Sequence, residues 1–310
     1  MARTAFITHE DCVKHEMTPG HPEQPARIGA VLNELASQGL FQMLERFEAV
    51  EATRDRLLLA HPPSHVDHVF NSAPDGADPS LVPLDPDTAL NHYSLRAALL
   101  AAGAGVQAVD LVAGDNFDNA FCCVRPPGHH AEKTRAMGFC FFGSIAIAAL
   151  HALEQPGIDR VAVIDFDVHH GNGTEDLIGD HDSIFFCSSF QHPFYPGKFG
   201  SNVAGRKINI PLDAGTDGAV FKAKMESECL PALEAYKPDM ILISAGFDAH
   251  KDDPLGGLNW TENDFAWITR ELMGVAERHS ERRLVSMLEG GYNLDALGTS
   301  AAVHVKTLLA

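Results

Sequence analysis

Carboxylates, histidines and a tyrosine follow directly after four apolar stretches of this 310-residue chain. The stretch at 160–166 leads into Asp165, Asp167, His169 and His170. The stretches at 120–124, 240–245 and 284–288 lead into RPPGHH, GFD and EGGYN, respectively. Short apolar runs of this kind are typical of buried parallel strands, whose carboxyl ends form the ligand-binding edge of a sheet. The four stretches therefore predict one site at that edge.

The spacing after the 160–166 stretch suits a metal ion. Because side chains alternate along a strand, Asp165, Asp167 and His169 lie on one side. Carboxylates and an imidazole placed in this way can converge on one cation. Each segment by itself also has an ordinary explanation, such as a solvated turn, two loop histidines, a glycine turn or a capping aspartate. Four such segments, each at a strand end, favour a shared metal-dependent site.

Strands and helices alternate along the whole chain. Two further strands are predicted at 183–187 and 207–211, and 218–236 places apolar residues four apart, as in an amphipathic helix. Thr261 and Asp264 resemble a capping box that begins a helix running towards His279. The alternation predicts an α/β fold with a parallel sheet covered on both faces. No repeat or linker interrupts it, so we expect residues 1–310 to form a single domain, with 72–87 as a surface loop.

Composition narrows the possible partners. The formal net charge of −19 argues against nucleic acid or an anionic membrane, since both bind basic patches. It leaves cationic substrates open, although an acidic surface also simply favours solubility. The most apolar stretch, 97–114, carries Gln107 and Asp110, so we expect no membrane span. The residues near the N-terminus include no signal-like apolar segment, so we expect a cytoplasmic protein. The six cysteines are then expected to be reduced thiols in the core.

Eight motifs occur in order along the chain. They are HPEQPAR at 21–27, LDPDT at 84–88, PPGHH at 126–130, GFC at 138–140, DFDVHHGNGT at 165–174, SAGFD at 244–248, DPLGG at 253–257 and EGGYN at 289–293. Together they resemble the histone deacetylase family, in particular its class II branch and the bacterial histone deacetylase-like amidohydrolases. The resemblance implies the arginase/deacetylase fold, a three-layer α/β/α domain around a largely parallel eight-stranded sheet. It also implies hydrolysis of N-acetyl or other N-acyl amides.

The same resemblance implies two bound cations. A catalytic zinc ion would be held by Asp167, His169 and Asp248, with positions left for a water molecule and a substrate carbonyl. Because two carboxylates and a histidine also accept iron(II), the identity of the metal stays open. A potassium ion would be bound by the side chains of Asp165 and Ser188 and by the backbone carbonyls of Asp167, His169 and Ser189.

The catalytic roles implied by the resemblance use five side chains. His130 would take a proton from water and help to protonate the leaving amine, and His129 would lie beside it, hydrogen-bonded to Asp165. Tyr292 would donate its hydroxyl to the oxyanion. Asn172 stands where some relatives have an aspartate behind the second histidine. An amide orients an imidazole but stabilises its cationic form less than a carboxylate does.

A deacetylase also needs a narrow apolar tunnel for the amine stem. The residues expected in this role are Gly138, Phe139, Tyr195 and Leu255, with Asp85, or else Asp87, holding the substrate at the mouth. Polyamine-selective relatives carry a glutamate at the position of Leu255. We therefore predict acyl-lysine-like or uncharged N-acyl substrates rather than acetylpolyamines. Gly143 departs from the asparagine that class II sequences more often carry.

Three alternatives are weighed against this prediction. An acetylpolyamine amidohydrolase, or a hydrolase of another small amide or ester, would use the same zinc site. A ureohydrolase on this fold would need two manganese ions and additional bridging carboxylates, which the motifs at 165–170 and 244–248 lack. A non-enzymatic binding protein would be expected to lack a ligand or the tyrosine, and neither is missing. The oligomeric state stays open, with a homo-oligomer among the possibilities.

Overall fold

An eight-stranded sheet forms the centre of the computed structural model, which describes residues 2–76, 80–114 and 116–310. Every pair of neighbouring strands in this sheet is parallel, in the order β2-β1-β5-β10-β9-β6-β7-β8. The strands are β1 (Thr4–Thr8), β2 (Glu45–Glu48), β5 (Asn119–Cys122), β6 (Val161–Asp165), β7 (Ile184–Gln191), β8 (Lys207–Leu212), β9 (Met240–Ala245) and β10 (Leu284–Leu288). A separate antiparallel pair consists of β3 (Val82–Asp85) and β4 (Thr88–Leu90).

Helices cover both faces of the sheet. They are α1 (Ala26–Ser37), α2 (Arg54–Leu57), α3 (Pro63–Ser72), α4 (Ser94–Ala113), α5 (Ser144–Ala152), α6 (Asn172–Ile178), α7 (Gly218–Lys224), α8 (Leu230–Tyr236), α9 (Glu262–His279) and α10 (Leu294–Leu308). Short 3-10 helices at Glu10–Lys14 and Leu40–Met43 complete the set, and a π-helical turn at Met225–Cys229 joins α7 to α8.

Strand β6 shows why the central strands are apolar throughout. Ala162 and Ile164 belong to the apolar cluster on one face of the sheet, whereas Val161 and Val163 belong to the cluster on the other face. A strand packed against helices on both sides has no face left for polar residues. The predicted α/β fold with helices on both faces is confirmed.

Several details differ from the prediction. Strands β1 and β2 were not predicted; β2 lies at the edge of the sheet, is largely exposed and lacks an apolar pattern. The stretch 72–87 is only partly a loop, since α3 ends at Ser72 and β3 begins at Val82; residues 77–79 lie outside the described residues.

The capping box at Thr261 and Asp264 is present at the start of α9. The six cysteines are buried and unpaired, as expected.

Helix α4 meets the length and apolarity of a membrane-spanning helix, the one such case among the described residues. Most of its apolar window is buried inside the protein, which is the behaviour of a core helix. A Cβ on Gly103 would lie only 1.8 Å from the backbone oxygen of Val50. This glycine therefore lets α4 lie directly against the 50–52 segment.

Candidate metal-dependent active site

The register of the sheet brings the predicted site residues to one edge. Asp165, the last residue of β6, is paired with Ser188 on β7 and with Ser244 on β9. The loops that follow β6, β9 and β10 therefore begin at the same level. This is the edge at which ligand sites form in parallel sheets.

Asp167, His169 and Asp248 lie together directly beyond that edge. Their potential ligand atoms all lie within 4.8 Å of one another, and all three residues are buried. His169 Nδ1 lies 3.1 Å from Asp167 Oδ1 and 3.2 Å from Asp248 Oδ2. In the described part of the chain, this is the cluster of acids and histidines close enough to hold a metal ion.

Three features show that this cluster fits a cation. Asp248 Oδ2 is buried and has no hydrogen-bond partner of good geometry among the described residues, even though His169 lies nearby. Burial, followed by the adjacent charge of Asp167, raises the pKa of Asp248 to about 7. Two carboxylates this close in a buried site favour a positive charge between them.

Glycines leave room for these carboxylates. A Cβ on Gly246 would lie 2.0 Å from Asp167 Oδ2, and one on Gly290 would lie 2.0 Å from Asp248 Oδ2. The Gly290 backbone N–H also donates to Asp167 Oδ2 at 2.8 Å. The backbone of the loop that follows β10 thus lies directly against the cluster, an approach that requires glycine.

The two adjacent histidines have opposite electrostatic environments. His129 Nδ1 lies 2.9 Å from Asp165 Oδ2. Burial alone would lower the pKa of His129, but Asp167 and Asp165 outweigh it and raise that pKa well above its ordinary value. His130 Nδ1 instead lies 2.7 Å from the amide oxygen of Asn172. Burial, together with His129 and His169, holds the pKa of His130 well below its ordinary value, so His130 is neutral.

Tyr292 is buried in the loop between β10 and α10. Arg27 contacts it through the ring face, with the guanidinium carbon 5.0 Å from the ring centre, and also donates to the backbone oxygen of Gly291 at 2.7 Å. Asp253 accepts hydrogen bonds from the backbone N–H groups of Tyr292 at 2.6 Å and Asn293 at 3.1 Å. Burial raises the pKa of Tyr292 well above its ordinary value, so its hydroxyl remains a donor.

Sequence reasoning assigned no role to several residues that organise the site. Glu289 accepts from the backbone N–H groups of Gly128 at 2.7 Å and His129 at 3.1 Å, and so fixes the start of the histidine loop. Burial raises the pKa of Glu289 to about 7. The buried Glu23 bonds both Arg125 and Arg27. Their position within or directly beside the family motifs was the sequence signal that could have identified them. These residues are Glu23, Arg27, Arg125 and Glu289.

A cavity of about 260 Å³ opens onto the cluster. It is lined by Asp87, His130, Gly138, Phe139, His169, Phe194, Tyr195, Pro254, Leu255 and Tyr292. The predicted lining residues Gly138, Phe139, Tyr195 and Leu255 are therefore all in its wall. Phe194, which precedes the predicted Tyr195, also lines the cavity and stacks on His169 with ring centres 5.3 Å apart.

The cavity wall at Gly138 and Phe139 has an uncommon backbone. Both residues have positive φ, +57° and +69° respectively. A Cβ on Gly138 would lie 2.4 Å from the imidazole of His130, so glycine is needed for this close approach. The backbone N–H of Phe139 donates to the Thr88 hydroxyl at 2.9 Å, which holds the phenyl ring at the cavity.

Asp85, the first choice for the residue at the cavity mouth, is paired with Arg135 in the structure. Asp85 is not among the lining residues, because its carboxylate accepts from Arg135 Nε at 2.9 Å. Asp87, the second choice, lines the cavity and accepts from the backbone N–H of Gly138 at 3.2 Å. The bend between β3 and β4 directs the two carboxylates to different partners, a distinction that the sequence does not contain.

Gly143 also has a structural reason. It precedes α5, and its backbone N–H donates to His61 Nε2 at 2.9 Å. A Cβ at this position would lie 2.3 Å from a methyl carbon of Leu177 on α6. The absence of a side chain therefore lets Leu177 fill this space.

Comparisons with known proteins agree with the geometry. A family model described as "Histone deacetylase domain" matches residues 21–308. A Pseudomonas aeruginosa protein named "Histone deacetylase-like amidohydrolase" is 35% identical over 315 residues, which cover 94% of this chain and 82% of that protein. A human protein named "Polyamine deacetylase HDAC10" is 36% identical over 327 residues, covering 99% of this chain and 48% of that protein. The crystal structure of the "HDA15 HD domain" is 34% identical and superposes with a TM-score of 0.92, covering 99% of this chain and 88% of that one.

Proposed function

Because the chain belongs to the histone deacetylase family and is a hydrolase of amide bonds, we propose that it is a zinc-dependent deacetylase of N-acylated amines. The observation that carries this proposal is the apolar cavity lined by His130, His169 and Tyr292. His169 joins this cavity to the buried cluster that it forms with Asp167 and Asp248.

Asp167, His169 and Asp248 are the proposed ligands of one divalent ion per chain. The buried, unsatisfied oxygen of Asp248 and the close pair of carboxylates support this assignment. When bound, zinc supplies Lewis acidity, which polarises an amide carbonyl and makes a water molecule more acidic. The same ligand set also accepts iron(II), so the metal is a separate question for analysis.

His130 is the proposed general base and acid. It is neutral and its Nδ1 is engaged by Asn172, so Nε2 is the nitrogen that can accept a proton from the attacking water. The same atom would then deliver that proton to the leaving amine. His129 lies beside it and is positioned by Asp165, whose carboxylate lies 2.9 Å from His129 Nδ1 and helps to raise the pKa of His129.

Tyr292 is the proposed donor to the oxyanion. Its raised pKa keeps the hydroxyl protonated, and Arg27 and Asp253 fix the ring and the backbone on either side. A donor that is already oriented costs no reorganisation when charge develops on the carbonyl oxygen.

The cavity favours an unbranched amine stem. Phe139 and Tyr195 supply aromatic walls, and Leu255 places an apolar side chain where a carboxylate would be needed to attract a distal ammonium. We therefore propose acyl-lysine-like or uncharged N-acyl substrates ahead of acetylpolyamines. The relative named a polyamine deacetylase makes acetylpolyamines the alternative to test directly.

A potassium site beside the metal cluster is also proposed. Asp165 and Ser188 are register partners on adjacent strands, which supports a shared cation between their side chains. The backbone carbonyls of Asp167, His169 and Ser189 are the remaining proposed ligands. A cytoplasmic location, a single domain over 1–310 and the absence of nucleic-acid or membrane partners stay predictions.

The test combines metal analysis with a substrate panel. Purified protein is stripped with a chelator, reloaded with zinc or iron(II), and assayed on acetyl-lysine peptides, N-acetylputrescine and small neutral amides. The proposal expects one ion per chain, loss of activity on chelation and recovery with metal. Two stoichiometric ions at the site, or no hydrolysis of any acylated amine by the reloaded protein, would contradict it.

A further inference from the structure

A line of three side chains leads away from the cavity behind His130. His130 Nδ1 lies 2.7 Å from Asn172 Oδ1, and Asn172 Nδ2 donates to Glu132 Oε1 at 2.8 Å. His130 and Asn172 are both buried, whereas the Glu132 side chain is 18% exposed and its carboxylate lies 3.5 Å from Lys198 Nζ. The mechanism described above uses the first two residues but leaves Glu132 without a role.

A carboxylate at the end of this line determines the orientation of the amide. An ionised carboxylate only accepts hydrogen bonds, so the Asn172 group that faces Glu132 must be its NH₂. The amide oxygen then faces His130, and an amide oxygen also only accepts. The proton of the neutral imidazole must therefore be on Nδ1, which leaves the lone pair on Nε2 directed to the substrate.

Without Glu132, the orientation of the Asn172 amide would be favoured only by the thioether sulfur of Met137, a weak acceptor 3.5 Å from Asn172 Nδ2. An asparagine amide can rotate by half a turn and present its NH₂ to the histidine at little cost in packing. The imidazole would then carry its proton on Nε2 and could not act as a base. We propose, on the basis of the proposed function, that Glu132 is a positioning residue that fixes the catalytic tautomer of His130 through Asn172.

The backbone holds Glu132 in place for this role. Glu132 and Arg135 exchange backbone hydrogen bonds at 2.9 and 3.4 Å, which closes a tight turn directly after the histidine pair. The next backbone N–H, that of Lys133, donates to Asp176 on α6 at 2.8 Å. A Cβ on Gly173 would lie 2.4 Å from the backbone oxygen of Ala131, so the start of α6 lies directly against this turn. The turn and Asn172 consequently form one rigid unit.

Glu132 also supplies a negative charge along the same line. Asn172 is neutral, so it cannot by itself stabilise the imidazolium that forms when His130 takes a proton. The Glu132 carboxylate polarises the amide from its far side, and hydrogen-bonded chains of this kind strengthen each member.

The test is a double-mutant cycle with Glu132→Gln, Asn172→Asp and both together, all zinc-loaded. Glu132→Gln should lower kcat by about tenfold or more with little change in KM, because outer partners of catalytic groups typically contribute this much. Asn172→Asp places two carboxylates in contact and should also lower kcat. Adding Glu132→Gln to Asn172→Asp should raise kcat, because the glutamine NH₂ can then donate to the new carboxylate. Asp180→Asn is the matched control, since it removes a charge nearby from a side chain that is 91% exposed.

Equal losses from Glu132→Gln in both backgrounds would overturn the proposal, because a merely structural role predicts them. A kcat for Glu132→Gln equal to that of Asp180→Asn would also overturn it. A second readout does not depend on activity: ¹⁵N shifts of the His130 ring, assigned with His130→Ala. The proposal expects the Nδ1–H form in the wild type and a mixture in Glu132→Gln. An unchanged tautomer in the variant would refute it, whether or not the proposed deacetylase activity is found.

Discussion

Asp253 offers the sharpest test of how the fold positions Tyr292. Its carboxylate is buried and accepts three backbone N–H groups: Oδ2 accepts from Tyr292 at 2.6 Å and Asn293 at 3.1 Å, and Oδ1 accepts from Leu255 at 2.9 Å. One side chain therefore fixes the loop of the proposed oxyanion donor and the apolar rim of the cavity together.

The perturbation is Asp253→Asn, which keeps the shape but leaves one carbonyl oxygen. In the better of its two orientations the amide still accepts from Tyr292 and Asn293 but turns its NH₂ towards the N–H of Leu255. At least one hydrogen bond to a charged acceptor is lost, at a cost of about 1.5–3 kcal/mol. Displacement of Tyr292 by a fraction of an ångström should lower kcat by about tenfold to a hundredfold.

The measurements are urea unfolding and steady-state kinetics of the zinc-loaded protein on the best acylated substrate. Asp252→Asn is the matched control, because the same substitution one residue earlier changes a side chain that is 59% exposed. The expected result is a lower free energy of unfolding and a lower kcat in Asp253→Asn alone. If both variants kept wild-type kcat, the idea that Asp253 positions Tyr292 would be refuted.

Three further predictions concern the catalytic pair, the rim and a distant histidine. His130→Ala and Tyr292→Phe should each lower kcat by about 10² or more with zinc content and circular dichroism unchanged; near-normal turnover in either would contradict its role. Leu255→Glu should raise kcat/KM on N-acetylputrescine relative to acetyl-lysine peptides, because a carboxylate then stands at this apolar position of the wall. Bulk surface charge is screened within about 10 Å and gives little selectivity. A wild type at least about tenfold better on N-acetylputrescine would refute the proposed preference and would point to Asp87 as the partner of the ammonium. Burial lowers the pKa of His304 to about 3. Below about pH 6.5 the histidine is therefore protonated in the unfolded chain but stays neutral in the folded protein. The free energy of unfolding consequently falls as the pH drops. Between pH 7 and pH 5 the wild type should lose about 2 kcal/mol more than His304→Gln in urea unfolding, and equal losses would count against this account.

The sequence alone determined the family motifs, the α/β alternation and the identity of the metal-site candidates. Each of these depends on local information: strand β6 is apolar because both faces are buried, and period-two alternation puts Asp165, Asp167 and His169 on one side. Strands β9 and β10 were predicted with the bounds that the structure gives them. Edge strand β2 carried no such pattern, because an exposed strand is under little pressure to be apolar.

Only the tertiary structure decided which side chains support the site and how. Glu132, Asp253 and Arg27 act on residues up to 264 positions away, through contacts that no local pattern encodes. The choice between Asp85 and Asp87 depended on the position of Arg135 across a turn, and so could not follow from residue type. Residue chemistry can be recognised in sequence, but the orientation of a carboxylate depends on which donors folding brings within about 3 Å of it.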